Sequence, residues 1–293
     1  ENVLRNIRSS SAIYWRRNFR SNNKSCQPNF NANTLLYRSE NFLVIDKPPD
    51  LLINSNDPTK ASVQTALRKQ CPELSNANLT HEFYFAHRLD YSTSGILCLP
   101  LNKKACSALC SSFQGRKSKK FYIALVNGIV SQQVSTIEDP IGDDVRFESS
   151  NKKMCTVSQM EYCKNPRSCV THMCVVETGY YLNRPATKVM LMAVTGRRHQ
   201  LRVHCSAVGH PIVGDYTYGS EMDKNLPRMF LHAIRLIVPN DVEGIQIETH
   251  DPFQANKLEN WYPNSTESRD FRIFYELLEN RAQNYSIDKR HIM

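Results

Sequence analysis

The chain alternates between short apolar runs bounded by turn residues and longer stretches with helical spacing. The apolar runs predict strands over 35–37, 42–46, 96–99, 121–126, 169–177, 188–194 and 231–238. Apolar positions three and four residues apart predict helices over 62–70, 103–113 and 200–208. Because strands and helices alternate irregularly, we predict an α+β fold with a mixed sheet.

The pattern divides the chain into three parts. Residues 1–34 are rich in Arg, Ser and Asn, which is typical both of a basic disordered leader and of a mitochondrial transit peptide. We expect one folded domain over 35–255, followed by a helical tail over 256–293. The tail contains one amphipathic repeat, made by Phe271, Phe274, Tyr275 and Leu278. Such a helix is expected to pack on the body of the protein.

Composition and charge narrow the class of protein. With 41% hydrophobic and 22% charged residues, the 293-residue chain is neither disordered throughout nor fibrous. Of the net charge of +9, residues 1–39 carry seven basic residues and one acid, so the remaining 30 basic and 27 acidic residues nearly balance. Local clusters of charge, and not the bulk charge, must therefore bind any anionic partner. No apolar run approaches the roughly 18 residues of a membrane span, so we exclude a membrane-embedded protein.

Neither a metal nor a cofactor is predicted. Four of the ten cysteines cluster over 155–174, but without the C-x2-C pairs of zinc sites. We interpret them as free thiols in a reducing, intracellular compartment. His199 and His204 are five residues apart on a predicted helix, which turns their rings away from a common face. The common nucleotide-binding and hydrolase motifs are absent from the sequence.

Two polar segments stand out because a packed core would not contain them. One runs over 87–95, reads HRLDYSTSG and leads into the buried strand at 96–99. The other runs over 195–215 and reads TGRRHQLRVHCSAVGHPIVGD. Asp90, placed before a buried strand, needs a cationic partner to stay ionised when partly desolvated, and the arginines of the second segment provide guanidinium groups. Considered singly, Asp90 could cap a turn and the arginines could form a solvated face.

Taken together, these segments resemble the RluA-type RNA pseudouridine synthases. HRLDYSTSG matches that family's H-R-L-D-x-x-T-S-G motif, and the second segment matches T-G-R-x-H-Q-[IL]-R-x-H-x-x-x-x-G-x-P-[IL]-x-G-D. A third block, KFYIALVNG over 120–128, is similar to the family's K-x-Y-x-A-x-V-x-G strand. The blocks follow the family order, and the similarity extends over about 35–253. Within the family, the chain looks most like the animal RNA pseudouridylate synthase domain-containing proteins.

The resemblance implies a pseudouridine synthase catalytic domain over 35–255, with a mixed, mainly antiparallel central sheet flanked by helices. Such enzymes break the N1 glycosidic bond of a uridine in RNA and rejoin the base through C5, without a cofactor. Asp90 matches the catalytic aspartate, as a nucleophile or as a base that removes a sugar proton. Arg202 matches its partner, with Arg197 as second choice. Tyr122 matches the active-site tyrosine that stacks on the base, and we prefer this role to the alternative of a core aromatic residue on a strand, because the motif fixes its position.

Further residues are candidates for binding RNA. The target uridine must be rotated out of its stack, and Arg88 matches the residue that fills the vacated space. His87 contacts a phosphate or a base, or only supports the motif. Lys119 and Lys120, with neighbouring basic residues, form a phosphate-contacting rim or a solvated turn. The remaining substrate-binding candidates are Arg197, His199 and Gln200.

Some features depart from the family pattern. The family's K-P-x-G loop is KPPD over 47–50, so Asp50 is expected to change the loop backbone and to put an acid near RNA. The stretches 139–170 and 180–187 are expected to be inserts, and the segment 143–168 to influence RNA choice.

We expect a monomer whose partner is RNA (tRNA, rRNA or mRNA), with mitochondrial and cytoplasmic or nuclear locations both open. The alternative function is a non-catalytic RNA-binding protein or RNA chaperone that keeps the fold.

Overall fold

The computed structural model describes residues 34–147, 153–265 and 270–291, so the predicted leader lies outside the described residues except for Thr34. Thirteen strands are described: β1 Leu35–Arg38, β2 Phe42–Lys47, β3 Ser94–Pro100, β4 Lys119–Asn127, β5 Val134–Ile137, β6 Ile141–Asp144, β7 Met154–Thr156, β8 Cys163–Arg167, β9 Thr171–Tyr181, β10 Arg184–Ala193, β11 Leu231–Val238, β12 Ile245–Glu248 and β13 Trp261–Pro263. The α-helices are α1 Val63–Gln70, α2 Lys103–Gln114, α3 Gln200–Ala207 and α4 Phe271–His291.

Ten strands form the central sheet, whose main path runs β1-β2-β3-β11-β4-β10-β9-β13. β12 adds to β11, and β5 adds to β9. Among the described strands, β3 and β11 are the one parallel pair, and all the other pairs are antiparallel. The predicted mixed, mainly antiparallel sheet is therefore confirmed.

Each face of the sheet carries a hydrophobic core. Successive residues of a strand point to opposite faces, so one strand contributes side chains to both cores. On β4, Phe121 and Ile123 enter a core that also contains Phe274 and Leu278 of α4. Ala124, the next residue on that strand, enters the core on the opposite face, against α3. The amphipathic repeat of the tail is thus buried on the sheet, as predicted, while the tail also contributes β13 to the sheet edge.

The two expected inserts differ in structure. In the described part of 139–170, β6, β7 and β8 form a separate three-stranded sheet in the order β7-β6-β8. The stretch 180–187 is not an insert: β9 and β10 continue through it and pair from Tyr181 and Arg184 onward. The two residues between these strands, Leu182 and Asn183, both have positive φ, at 49° and 61°. A type I′ hairpin turn requires this conformation.

No helix in the described ranges is long and apolar enough to cross a membrane.

Candidate active site

The register of the central strands brings the two polar segments together. Gly95 at the start of β3 lies opposite Ala233 of β11, and Ala233 lies opposite Tyr122 of β4. Tyr122 in turn lies opposite Leu191, near the end of β10. The loop before β3 and the loop after β10 therefore meet beside Tyr122, in the middle of the sheet, and line one cleft there. Gly95, with φ of +113°, permits this approach, since a Cβ atom there would lie 2.3 Å from the Ala233 carbonyl oxygen.

Arg202 of α3 lies between two carboxylates. Its Nε and Nη2 donate to Asp215 at 2.7 and 2.8 Å, and its Nη1 donates to Oδ2 of Asp90 at 3.4 Å. Asp215 is fully buried and also accepts the backbone N–H groups of Thr217 and Tyr218. Asp90 is 18% exposed. The forked pair with Asp215 holds the guanidinium in place, and Asp90 is the carboxylate of the two that a ligand can reach.

His199 is the second side chain that lies close to Asp90, since its Nε2 is 4.0 Å from the Asp90 Oδ2. Its Nδ1 lies 2.8 Å from the Tyr218 hydroxyl, which accepts the backbone N–H of Met154 at 2.9 Å. Burial lowers the pKa of His199 to about 4, so the ring is neutral near pH 7. Because the Tyr218 hydroxyl accepts from Met154, it is placed to donate its own proton to Nδ1, which puts the ring proton on Nε2, on the side of Asp90 but beyond hydrogen-bond distance from it.

The carboxylate of Asp90 lies in a cleft with two lobes, of about 540 and 970 Å³. Tyr122 and Lys120 line the smaller lobe. Burial, and then the charge of Asp90, raises the pKa of Tyr122, so its phenol stays protonated. Lys120 donates to the carbonyl oxygen of Thr195 at 3.3 Å, and burial lowers its pKa to about 8. An aromatic ring, a carboxylate and cations thus surround one space.

The predicted RNA-binding residues fall into different positions. Arg88 is exposed, lines both lobes and makes no hydrogen bond or ion pair within the described residues. Arg197 lines the smaller lobe, and its Nε donates to the Ser168 carbonyl oxygen, so it is Arg202 and not Arg197 that pairs with Asp90. Lys119 lies outside both lobes and pairs with Glu279 of α4 at 2.7 Å.

His87 and Gln200 line the cleft, but their side chains are hydrogen-bonded to other parts of the protein. Nε2 of His87 accepts the backbone N–H of Cys98 at 2.8 Å, and burial lowers the pKa of the ring to about 4. The buried Gln200 amide accepts from Thr195 and from the Arg197 backbone, and it donates to Val170 and Thr171. Both side chains fix the loops that carry the site.

The loop over 47–50 keeps a glycine-like backbone despite its aspartate, contrary to our expectation. Asp50 has φ of 56°, a left-handed conformation that Asp adopts more readily than most residues. The ammonium group of the buried Lys47 donates to the carbonyl oxygens of Pro48, Leu51 and Tyr91. Burial lowers the pKa of Lys47 to about 7, and the charge of Asp50 counteracts this shift. The acid therefore partly offsets the cost of a buried cation.

Asp215 and Tyr218 were not among the candidate residues. Asp215 is the last residue of the second motif, so the motif itself draws attention to this position. Its contact with Arg202, however, depends on how the chain reverses after α3. Tyr218 lies beyond the motif, and its role follows from contacts with Met154 and His199. Among the described residues, no cluster of three or more His, Cys, Asp or Glu side chains is arranged to hold a metal ion.

The cleft combines one accessible carboxylate, an aromatic ring and several cationic side chains. These features suit a nucleobase that is attached to a negatively charged phosphate backbone. The family model described as RNA pseudouridylate synthase matches residues 41–207. RNA pseudouridylate synthase domain-containing protein 1 of Danio rerio is 41% identical over 248 residues, which cover 84% of this chain and 83% of the relative. Dual-specificity RNA pseudouridine synthase RluA of Haemophilus ducreyi is 35% identical over 215 residues, or 71% of this chain and 88% of the relative.

A solved structure supports the same assignment. Human RNA Pseudouridylate Synthase Domain Containing 1 superposes with a TM-score of 0.73 at 37% identity, covering 83% of this chain and 94% of that one. The chain belongs to the RNA pseudouridylate synthase family, whose members are isomerases that act on RNA. The resemblance inferred from the motifs is confirmed.

Proposed function

We propose that this protein isomerises uridine to pseudouridine in RNA and that Asp90 is its catalytic residue. The observation that carries the proposal is the Asp90 carboxylate, which meets Nη1 of Arg202 at 3.4 Å inside the cleft lined by Tyr122. The anchored guanidinium orients the carboxylate before substrate arrives, so little reorganisation is needed during the reaction.

In the proposed reaction, the target nucleotide leaves its stack and enters the smaller lobe. The Tyr122 ring packs against the base, and Arg88 at the mouth of the cleft fills the space left in the RNA. The N1–C1′ bond breaks, the base turns, and a C5–C1′ bond forms; the C5 proton is lost to water and N1 takes up a proton, so the net change is an isomerisation. Asp90 assists either by attacking the sugar or by removing a sugar proton, and both routes use the ionised carboxylate.

Release of the C5 hydrogen provides a direct test. Purified protein is incubated with cellular RNA carrying tritium at uridine C5, and tritium released to water is counted. We expect release by the intact protein and none above background by Asp90→Asn, which keeps the side-chain volume and removes the charge. Tyr262→Ala is the matched control, because Tyr262 is exposed on β13 outside both lobes.

The same experiment separates the enzyme from a non-catalytic RNA-binding protein. Retained RNA binding without tritium release from total RNA, from tRNA or from rRNA would overturn the enzymatic proposal. Circular dichroism of Asp90→Asn verifies that loss of release is not loss of fold.

A further inference from the structure

The larger lobe of the cleft has no role in the isomerisation as proposed. It shares Asp90, Arg88 and Arg202 with the smaller lobe, but Tyr122 does not line it. Its volume, about 970 Å³, exceeds that of the lobe assigned to the target nucleotide. A ligand that extends beyond one nucleotide would enter this space next.

Partly exposed aromatic side chains line this lobe. Phe147, which follows β6, is 36% exposed, Tyr91 in the loop before β3 is 42% exposed, and Tyr216 in the loop after α3 is 56% exposed. They come from three separate segments of the chain and are brought to one space by the fold. Exposed aromatic rings that converge on one groove are platforms on which unpaired bases stack.

Cations lie among these rings. Arg88, Lys153 and Arg198 line the lobe, while Asp90 is the one acidic residue among the described residues that line it. The Lys153 ammonium group lies over the Phe147 ring, 4.3 Å from its centre. A base that stacks on Phe147 takes the opposite face of the ring or displaces this ammonium group, whose charge suits the phosphate of the same nucleotide. This combination favours single-stranded RNA over an apolar ligand or a protein segment.

We propose that the larger lobe is a subsite for an unpaired nucleotide next to the target uridine, with Phe147 and Tyr216 as stacking residues and Lys153 as a phosphate contact. The inference rests on the proposed function, since that function places RNA in the adjoining lobe. Phe147 follows β6 and Lys153 precedes β7, so these two described residues place the three-stranded sheet beside the nucleotide next to the target.

Binding of a defined probe tests the subsite apart from catalysis. The full chain is titrated into a fluorescein-labelled, single-stranded oligouridylate 12-mer, and fluorescence anisotropy gives Kd. We expect Phe147→Leu and Tyr216→Leu each to weaken binding about 5-fold or more, because leucine keeps apolar contact but cannot stack on a base. Phe147→Trp should stay within about 2-fold of the unchanged protein, since it retains a stacking ring.

Two controls separate base stacking from general effects. Tyr262→Leu changes an exposed tyrosine that lines neither lobe, and it should leave Kd unchanged. An RNA duplex of the same length presents no unpaired base, so Phe147→Leu should not weaken its binding. Equal loss of affinity for the duplex and the single strand would overturn stacking as the mode of binding.

The subsite and the proposed reaction fail in different ways. Unchanged Kd for both leucine variants would overturn the subsite, even if the intact protein releases tritium. Weaker binding by both variants supports the subsite, even if no RNA yields tritium and the reaction is overturned. When release is observed, these variants should raise KM while kcat changes little, because the contact is made equally in the ground state and the transition state.

Discussion

The two carboxylates beside Arg202 differ in what each is free to do. Asp215 is buried in a forked ion pair, so Asp215→Ala leaves the guanidinium desolvated without its main partner. We expect this change to lower the free energy of unfolding by about 3 kcal/mol, measured by urea denaturation. Asp90→Ala keeps the forked pair and should abolish tritium release with little loss of stability. Equal stability losses in the two variants would contradict this division of roles.

The Tyr218 hydroxyl is expected to fix the tautomer of His199. Tyr218→Phe keeps the ring beside Arg202 and removes the donor to Nδ1, so the Nε2 proton that faces Asp90 is no longer specified. We expect kcat for tritium release to fall by about 10-fold, because a dipole beside the Asp90 carboxylate is then no longer fixed. Nitrogen-15 NMR of His199 is the independent measurement: the intact protein should show protonated Nε2, and Tyr218→Phe a mixture. A single, unchanged tautomer in Tyr218→Phe would refute the proposed role.

At the scale of residues, the sequence identified the site residues that occupy motif positions. It missed the residues that belong to the site only through contacts made in the folded chain. Asp90, Tyr122 and Arg202 occupy one cleft because their motif positions precede, lie on and follow central strands. The pairing of Arg202 with Asp215 was not predictable, since several arginines and acids in the two segments were equally available. Only the path of the chain after α3 decides which of them meet.

At the scale of elements, strand β4 directs two adjacent lysine side chains to opposite faces of the sheet. Lys120 faces the cleft, whereas Lys119 faces α4 and pairs with Glu279. We expect Lys120→Gln to reduce the slope of log affinity against log salt by about 0.7 for the single-stranded probe, as for one lost phosphate contact. Lys119→Gln, the matched control, should leave the slope unchanged. A larger change in Lys119→Gln than in Lys120→Gln would contradict the assignment of faces.

The pKa of Lys120 adds a pH dependence to the same experiment. Because burial lowers this pKa to about 8, the ammonium group loses its charge as pH rises from 7 to 9. RNA affinity should therefore fall across this range in the intact protein, and Lys120→Gln should show a smaller fall.

Predictions of elements succeeded where the apolar period was regular and failed where a turn lacked its usual residues. The pattern located β11 and α1 to within one residue. The hairpin between β9 and β10 was missed, because Leu182 and Asn183 replace the Asn-Gly pair that normally marks a type I′ turn. Tertiary pairing of two long strands here supports a turn that local preference does not favour.

For the whole molecule, the tail is part of the main core. Leu278 of α4 is fully buried, whereas its neighbour Leu277 is 40% exposed. We expect Leu278→Ala to lower the free energy of unfolding by about 2 to 4 kcal/mol, since it leaves a cavity against the sheet. Leu277→Ala should change it by less than about 0.5 kcal/mol. Similar small effects at both positions, measured by urea denaturation, would show that the helix is not needed for stability.

Buried histidines make the stability of the molecule depend on pH. Burial lowers the pKa of His87, His172 and His199 to about 4, and that of His232 to about 3. In the unfolded chain these rings titrate near 6.5, so between pH 6.5 and 4 the unfolded state binds more protons than the folded state. The free energy of unfolding must then fall as pH falls, by at most about 1.4 kcal/mol per pH unit for each histidine.

One buried acid has the opposite effect on the pH dependence of stability and must be included in the comparison. Burial raises the pKa of Asp46 to about 6, so the folded state holds its proton as pH drops below that value, which stabilises the fold. Four histidines outweigh one aspartate, and urea denaturation at pH 7.5 and 5.5 should show lower stability at pH 5.5. His172→Gln removes one of the four titrations and should make the dependence shallower. Stability that is equal or higher at pH 5.5 would contradict the lowered pKa values of these four rings, that of His199 beside Asp90 among them.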